Sequence, residues 1–276
     1  MQYPFLVSIP HGGTDVPEEV RDRISLCHDD LVHYSDPETP ALYYFGRSVA
    51  ATVVSPVSRM VVDLNRPPLP LPPRDPDGII KVRTIDGKAV WRPGQFPSMS
   101  LIHQILLQWY FPYHQRIDEL IDHHDIRIAF DCHSMLPIGS VEQRDAGKIR
   151  PLFCLSNNGD RRGRAKKGSL TTCPEAWITA LADGFRQEFS LDREVTINNP
   201  FSGGFIANAH FWRKGVPWIQ IEVSRALYES RWILGVERPP LFFHDTTLLQ
   251  KKIWRVLAMF WDQYGSCGEP ARESPV

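Results

Sequence analysis

The sequence predicts an α/β protein with a parallel sheet at its centre, and two apolar stretches and two helical patterns carry that expectation. Residues 126–135, IRIAFDCHSM, run from mostly apolar positions straight into Asp131, Cys132, His133 and Ser134. An apolar run of this length with polar side chains at its exit reads as a buried parallel strand. Residues 216–223, VPWIQIEV, form a second such run, with Glu222 near its end. Leu101, Ile105, Trp109, Tyr113 and Ile117 follow i, i+4 spacing, and Trp177, Leu181 and Phe185 repeat it; both patterns read as helices that can cover a sheet. Open α/β sheets collect ligands beyond the carboxyl ends of their strands. Polar residues at strand exits are therefore the first candidates for chemistry.

The totals fit this class. A length of 276 residues suits one large α/β domain. Hydrophobic residues at 42% and charged residues at 23% are ordinary for a globular protein. A net charge of -1 provides no field that would draw nucleic acid or an anionic membrane. No apolar run approaches the roughly 18–20 residues of a membrane span. The N-terminus, MQYPFLVSIPHGG, has neither the basic segment nor the long apolar segment of a secretory signal. Cys27, Cys132, Cys154, Cys173 and Cys267 form no CxxC pair and read as free thiols of a reducing cytoplasm. The 24 prolines predict rigid turns.

Taken in order, residues 3–9 are a strand ending in Pro10, His11, Gly12 and Gly13. The two glycines allow close approach of a ligand to the backbone, and a plain turn is the alternative. Short helices are expected at 17–23 and 29–32. Ser35, Asp36, Pro37 and Glu38 form a helix start, which makes a cap the alternative role for Asp36. The helix that follows is expected to carry Leu42, Phe45 and Val49 to the core. Residues 52–57 and 60–64 read as strands, the second leading into Asn65 and Arg66. An amide beside a planar fork of donors suits a carboxylate ligand; an exposed arginine before a proline-rich loop is the alternative. Residues 67–97 form a proline- and glycine-rich surface excursion over the site, with a hairpin turn at Asp86 and Gly87. Residues 98–124 are the longest helix, which Pro112 should kink or split. His103 and His114 are too far apart along it for one metal.

Residues 139–150 read as a polar loop, 151–156 as a strand, and 158–169 as a basic loop that lacks the lysine of a phosphate-binding motif. A helix at 174–189 and a strand at 195–199 precede Phe201, Ser202, Gly203 and Gly204. A closing helix at 248–264 and a loose tail at 265–276 complete a single domain spanning 1–276, without repeats or linkers.

Four exits thus carry polar groups: His11, Asn65 with Arg66, Asp131 with His133, and Glu222. Asp131 and His133 are two apart and point the same way on a strand. Two histidines and a carboxylate make a catalytic zinc set with one position left for water. A further glutamate can take that water's proton, and an arginine can hold a carboxylate or an oxyanion. A core histidine satisfied by a backbone carbonyl is the alternative for His133.

In this order, SIPHGG, SRMVVDLNRPP, IAFDCHSM, NPFSGGFI and IQIEVSRALY resemble the N-formylglutamate amidohydrolases, which are related to zinc carboxypeptidases and aspartoacylases. The resemblance runs from about residue 5 to 230. It implies a mixed, mainly parallel sheet flanked by helices, zinc-carboxypeptidase-like, and hydrolysis of N-formyl-L-glutamate to formate and glutamate. It further implies one zinc ion on His11 and His133, Glu222 as general base, and Asn65 and Arg66 on the substrate carboxylate. Arg59 would be the oxyanion partner, Asp131 would orient a ligand histidine, and the turn from Phe201 through Ser202 and Gly203 to Gly204 would shape the substrate pocket. The related peptidases take a ligand from His-x-x-Glu, and here the fourth position is Thr14. The carboxylate ligand is expected to be Asp36, with Asp15 and Glu18 as alternatives.

Two other classes compete with this one. A metal-dependent amidase or peptidase on the same scaffold would cut a longer N-acyl amino acid or peptide. A non-catalytic binding module would have kept the fold and lost the metal. The expected partner is a small N-acyl amino acid, with neither nucleic acid nor membrane involved; oligomeric state is open.

Overall fold

The computed structural model describes residues 2–230 and 241–265. Six strands form its sheet: β1 (Tyr3–Ile9), β2 (Val49–Val54), β3 (Ile128–Met135), β4 (Phe153–Ser156), β5 (Val195–Ile197) and β6 (Trp218–Ser224). Their spatial order is β2-β1-β3-β6-β4-β5. The four strands from β2 to β6 are mutually parallel, whereas β4 runs antiparallel to β6 and parallel to β5. The mixed, mainly parallel sheet that the resemblance implies is therefore the sheet observed.

Helices α1 (Glu18–Arg21), α2 (His28–Tyr34), α3 (Thr39–Leu42), α4 (Met99–Ile105), α5 (Phe111–His123), α6 (Glu175–Phe189), α7 (Phe205–Lys214) and α8 (Thr246–Phe260) surround it. β3 is buried at all eight positions, because both of its faces are covered. Phe130 and Cys132 of β3, with Ile219, Ile221 and Val223 of β6, pack on the face covered by α6 and α8. Ala129 and Trp218 pack on the other face, with residues of α4, α5 and α7. Strand alternation then places Asp131, His133, Gln220 and Glu222 on this second face. A chain that buries one sheet on both sides thus concentrates its polar strand residues on one of them.

Two expectations are corrected. Residues 60–64 form no strand; the N–H groups of Val61 and Val62 turn back to the Ser58 carbonyl. The apolar run there reflects burial on all sides, since Met60, Val61, Val62 and Leu64 are each at most 2% exposed. The helix after Asp36 lasts only four residues before a 3₁₀ turn at Gly46–Ser48, and Val49 opens β2 instead. Gly46, at φ 54°, fits the break, because helical residues need negative φ. Helix α7 has no counterpart in the sequence reading.

The long helix over 98–124 does form, interrupted as Pro112 requires. Leu106–Tyr110 make a π-helical turn directly before α5, in which proline occupies one of the first two positions. The wider turn frees the carbonyl that the proline ring would strike. Thr84 N–H donates to the Lys88 carbonyl across the Asp86–Gly87 turn, and Val90 N–H to that of Val82. No helix of the described residues is long and apolar enough to cross a membrane.

Candidate active site

His11 lies two residues past β1, where the chain turns sharply. The glycines after it serve the protein rather than a ligand. A Cβ on Gly12 would stand 2.5 Å from Pro40 Cγ, and one on Gly13 2.0 Å from the Pro56 carbonyl. The expectation that these two glycines admit a ligand is corrected accordingly. Asp36 N–H donates to the His11 carbonyl over 2.8 Å and ties the two segments together.

Asp36 is buried, and its side chain caps no helix; the N-cap of α3 is Glu38. Its Oδ2 stands 3.6 Å from His11 Nδ1 and 3.4 Å from His133 Nδ1. Its Oδ1 accepts from the Ser134 hydroxyl at 3.1 Å. One donor atom from each of His11, Asp36 and His133 lies within 4.8 Å of the others, and all three residues are buried. Ligand bonds of about 2.0–2.1 Å at tetrahedral angles set donor atoms about 3.4 Å apart, close to the 3.6 and 3.4 Å from Asp36 to the two histidines. His11 Nδ1 is moreover a buried nitrogen without any hydrogen-bond partner. A bound ion would satisfy a buried polar atom in that state. These residues fit a divalent cation. Asp15 and Glu18 are exposed and stand outside the cluster.

Each histidine is held from behind. His11 Nε2 donates to Asp63 Oδ1 at 2.7 Å, and His133 Nε2 to Asp131 Oδ2 at 3.0 Å. With the proton on Nε2, each Nδ1 presents a lone pair to the cluster. Asp131 also accepts from Ser8 Oγ at 3.1 Å and from Asn65 Nδ2 at 3.0 Å. Asp63 is fully buried, and its Oδ2 takes Arg59 Nη2 at 2.9 Å and Lys81 Nζ at 3.0 Å. Burial alone would raise the Asp63 carboxyl, but Arg59, Lys81 and His11 hold it well below the usual carboxylate range. Burial likewise opposes ionisation of Asp36, and the two neighbouring histidines, His11 and His133, overcome it and hold the carboxyl low. For His133, burial works against the charged form, while Asp131 and Asp36 drive its pKa well above the usual value.

Glu222 stands directly across the parallel ladder from His133. Its Oε1 accepts from Gln220 Nε2 at 2.7 Å. Burial is the main influence and raises its carboxyl to about 7; His133 lowers it and Asp36 raises it further. A carboxyl poised near neutrality can both take and give a proton.

The cluster opens into a cavity of about 360 Å3. Arg59, Asn65, Arg66, Phe201, Gly203 and Gly204 line it, and Ser202 does not. The Ser202 carbonyl instead accepts the Asn158 N–H. Asn65 is buried with its amide committed: Nδ2 donates to Asp131, and Oδ1 accepts the Ile206 N–H at the start of α7. A Cβ on Gly204 would stand 2.3 Å from Asn65 Nδ2, so the glycine makes room for this amide. Arg66 reaches the rim and pairs with Asp77 at 3.0 Å. Lys81, Arg83 and Ile85 of the excursion also line the cavity.

Sequence reasoning missed Asp63 and Lys81. Asp63 carries a signal, since a carboxylate inside the apolar run MVVDL must be paired. His114, placed outside the metal site by its spacing, supports it at one remove. Its Nε2 lies 3.1 Å from the Leu64 carbonyl oxygen, and its Nδ1 lies 2.9 Å from His210 Nε2. Burial lowers its pKa to about 3 and keeps it neutral.

N-formylglutamate deformylase from Pseudomonas putida is 32% identical over 270 residues, covering 95% of each chain. Its namesake from Pseudomonas aeruginosa is 29% identical over the same length. The crystal structure of N-formylglutamate amidohydrolase from Ralstonia eutropha JMP134 superposes with a TM-score of 0.70 at 20% identity, covering 94% of this chain and 93% of that one. The N-formylglutamate amidohydrolase family model matches residues 3–229, and the chain belongs to that family.

Proposed function

We propose that this chain is a zinc-dependent hydrolase of N-formyl-L-glutamate, or of a similar N-acyl amino acid, releasing formate and L-glutamate. The observation that carries this reading is the unpartnered, buried His11 Nδ1 beside Asp36 and His133, in a cavity shared with Glu222. Zinc held by His11, Asp36 and His133 would supply Lewis acidity and make water a stronger acid. Other divalent ions suit the same donors.

Glu222 is the proton carrier. It takes a proton from the attacking water and returns it to the leaving amine, and a carboxyl raised to about 7 suits both steps. Arg59, anchored on Asp63, is the cation for the developing oxyanion. Arg66 meets the substrate carboxylate, and Asn65 fixes the wall beside it. Phe201, Gly203 and Gly204 shape the pocket, with Ser202 holding their turn. A cytoplasmic setting goes with this reading, supported by four free cysteines among the described residues.

The test is elemental analysis and formate release, on wild type beside His133→Ala. About one zinc per chain, lost in the variant together with N-formyl-L-glutamate hydrolysis, is expected. A wild type that takes up no metal and releases no formate with added zinc would overturn the proposal.

A further inference from the structure

Several of the buried polar atoms without a hydrogen-bond partner belong to residues lining this one cavity: His11 Nδ1, Arg59 Nε, Gln220 Oε1 and Arg225 Nη2. The first fits a metal ligand, and the second belongs to the oxyanion partner. Arg225 has had no role so far. It opens the 3₁₀ turn Arg225–Leu227 directly after β6, three residues beyond Glu222. It is only 2% exposed.

Its guanidinium is fixed on three sides. Nε donates to Glu229 Oε1 at 2.6 Å, and Nη1 donates to the His33 carbonyl at 2.7 Å and the Ser35 carbonyl at 3.2 Å. Those carbonyls end α2 and lead directly to Asp36. The fork is therefore rigid, next to the metal cluster, and left with Nη2 unsatisfied. A buried guanidinium N–H without an acceptor is costly, and a planar fork is matched by a carboxylate. Two other cavity arginines differ. Arg66 engages Asp77, and Arg150 commits its Nε, Nη1 and Nη2 to Asp145, Gln143 and Leu136.

We propose that Arg225 Nη2 receives a second substrate carboxylate, that of an acidic side chain, and thereby makes the enzyme selective for N-acyl derivatives of acidic amino acids. This rests on the functional reading above and adds the residue that sets side-chain preference. The α-carboxylate at Arg66 is common to all N-acyl amino acids; a second carboxylate distinguishes the acidic ones. Loss of charge complementarity at a buried donor discriminates more strongly than pocket size, because the unpaired group stays buried with the wrong substrate.

The experiment compares kcat/KM for N-formyl-L-glutamate and its neutral isostere N-formyl-L-glutamine, in zinc-loaded wild type, Arg225→Gln and Arg225→Lys. Wild type is expected to favour the glutamate substrate at least about 10-fold. Arg225→Gln should lower kcat/KM for that substrate by about 10- to 100-fold and leave the glutamine substrate within about 3-fold, so that the preference collapses. Arg225→Lys should fall between. An equal loss on both substrates is the mark of a structural role and overturns the proposal. If neither variant folds, wild type decides: a ratio near one overturns it, and a preference for glutamate supports it. Wild type that hydrolyses neither substrate overturns the functional reading and this one with it, whereas activity without preference overturns this one alone.

Discussion

His133 and Glu222 face each other across the β3–β6 ladder, so a candidate metal ligand and a candidate base are fixed by backbone pairing rather than by loops. Register in a sheet buried on both faces cannot slip without turning every side chain over. Glu222→Gln keeps the shape and removes the base. It should lower kcat about 100- to 10,000-fold while metal content stays near wild type. Elemental analysis beside formate release checks this; loss of metal in the variant would reassign Glu222 as a ligand.

Glu222 also predicts a pH dependence of the metal-free protein. Its folded pKa is raised, to about 7 from 4.5. The folded state thus favours the protonated form, and the penalty is absent below about pH 4.5. Stability from this group is lost as pH rises from about 4.5 through about 7, by at most about 3 kcal/mol. Urea unfolding of chelated wild type and Glu222→Gln across that range should show a flatter profile for the variant.

A second pH effect belongs to the metal. In the metal-free protein Asp131 and Asp36 raise the pKa of His133 and favour its protonated form. A cation must displace that proton, so metal affinity should fall as pH falls and binding should release a proton. Calorimetric titration with zinc in buffers of different ionisation enthalpy measures it. Uptake without proton release would show that His133 binds no metal.

Asp63 fixes the tautomer of His11 and is itself fixed by Arg59 and Lys81. Asp63→Asn should weaken zinc about 10- to 100-fold, as loss of an orienting carboxylate does. Competition with a chromophoric chelator gives the value, and an unchanged affinity would remove Asp63 from the site.

Gly204→Ala should destabilise the protein by about 1–3 kcal/mol, because the new methyl meets the Asn65 amide at 2.3 Å. Denaturant midpoints read this directly. Gly94→Ala, with open space around its Cβ but φ 71°, serves as the control for backbone strain alone.

Much of this site was legible in the sequence for a physical reason. His11, His133 and Glu222 are polar residues at or just beyond strand ends, and burial forces such residues to have partners. Strand alternation put Asp131 on the face of His133. Asp36 was harder, because the pattern Ser-Asp-Pro-Glu also describes a helix cap; only the tertiary approach of two histidines distinguishes the roles. Residues 60–64 misled for the opposite reason. An apolar run records burial, and a turn enclosed on all sides is as apolar as a strand. Helix α7 was masked by the glycines before it, and Arg225 by an ordinary-looking turn. What Arg225 lacks, a partner for Nη2, exists only in three dimensions.

The Asn65 amide joins parts of the chain that are far apart in sequence. It bonds Asp131 across 66 positions and the first turn of α7 across 141. Contacts of that span cost loop-closure entropy before they return any energy, and they form late in folding. The candidate ligands His11, Asp36 and His133 are dispersed in the same way. Metal capture at these residues would therefore coincide with completion of the chain's topology. A chelator should leave the early phases of refolding untouched and act only on the final, native ensemble.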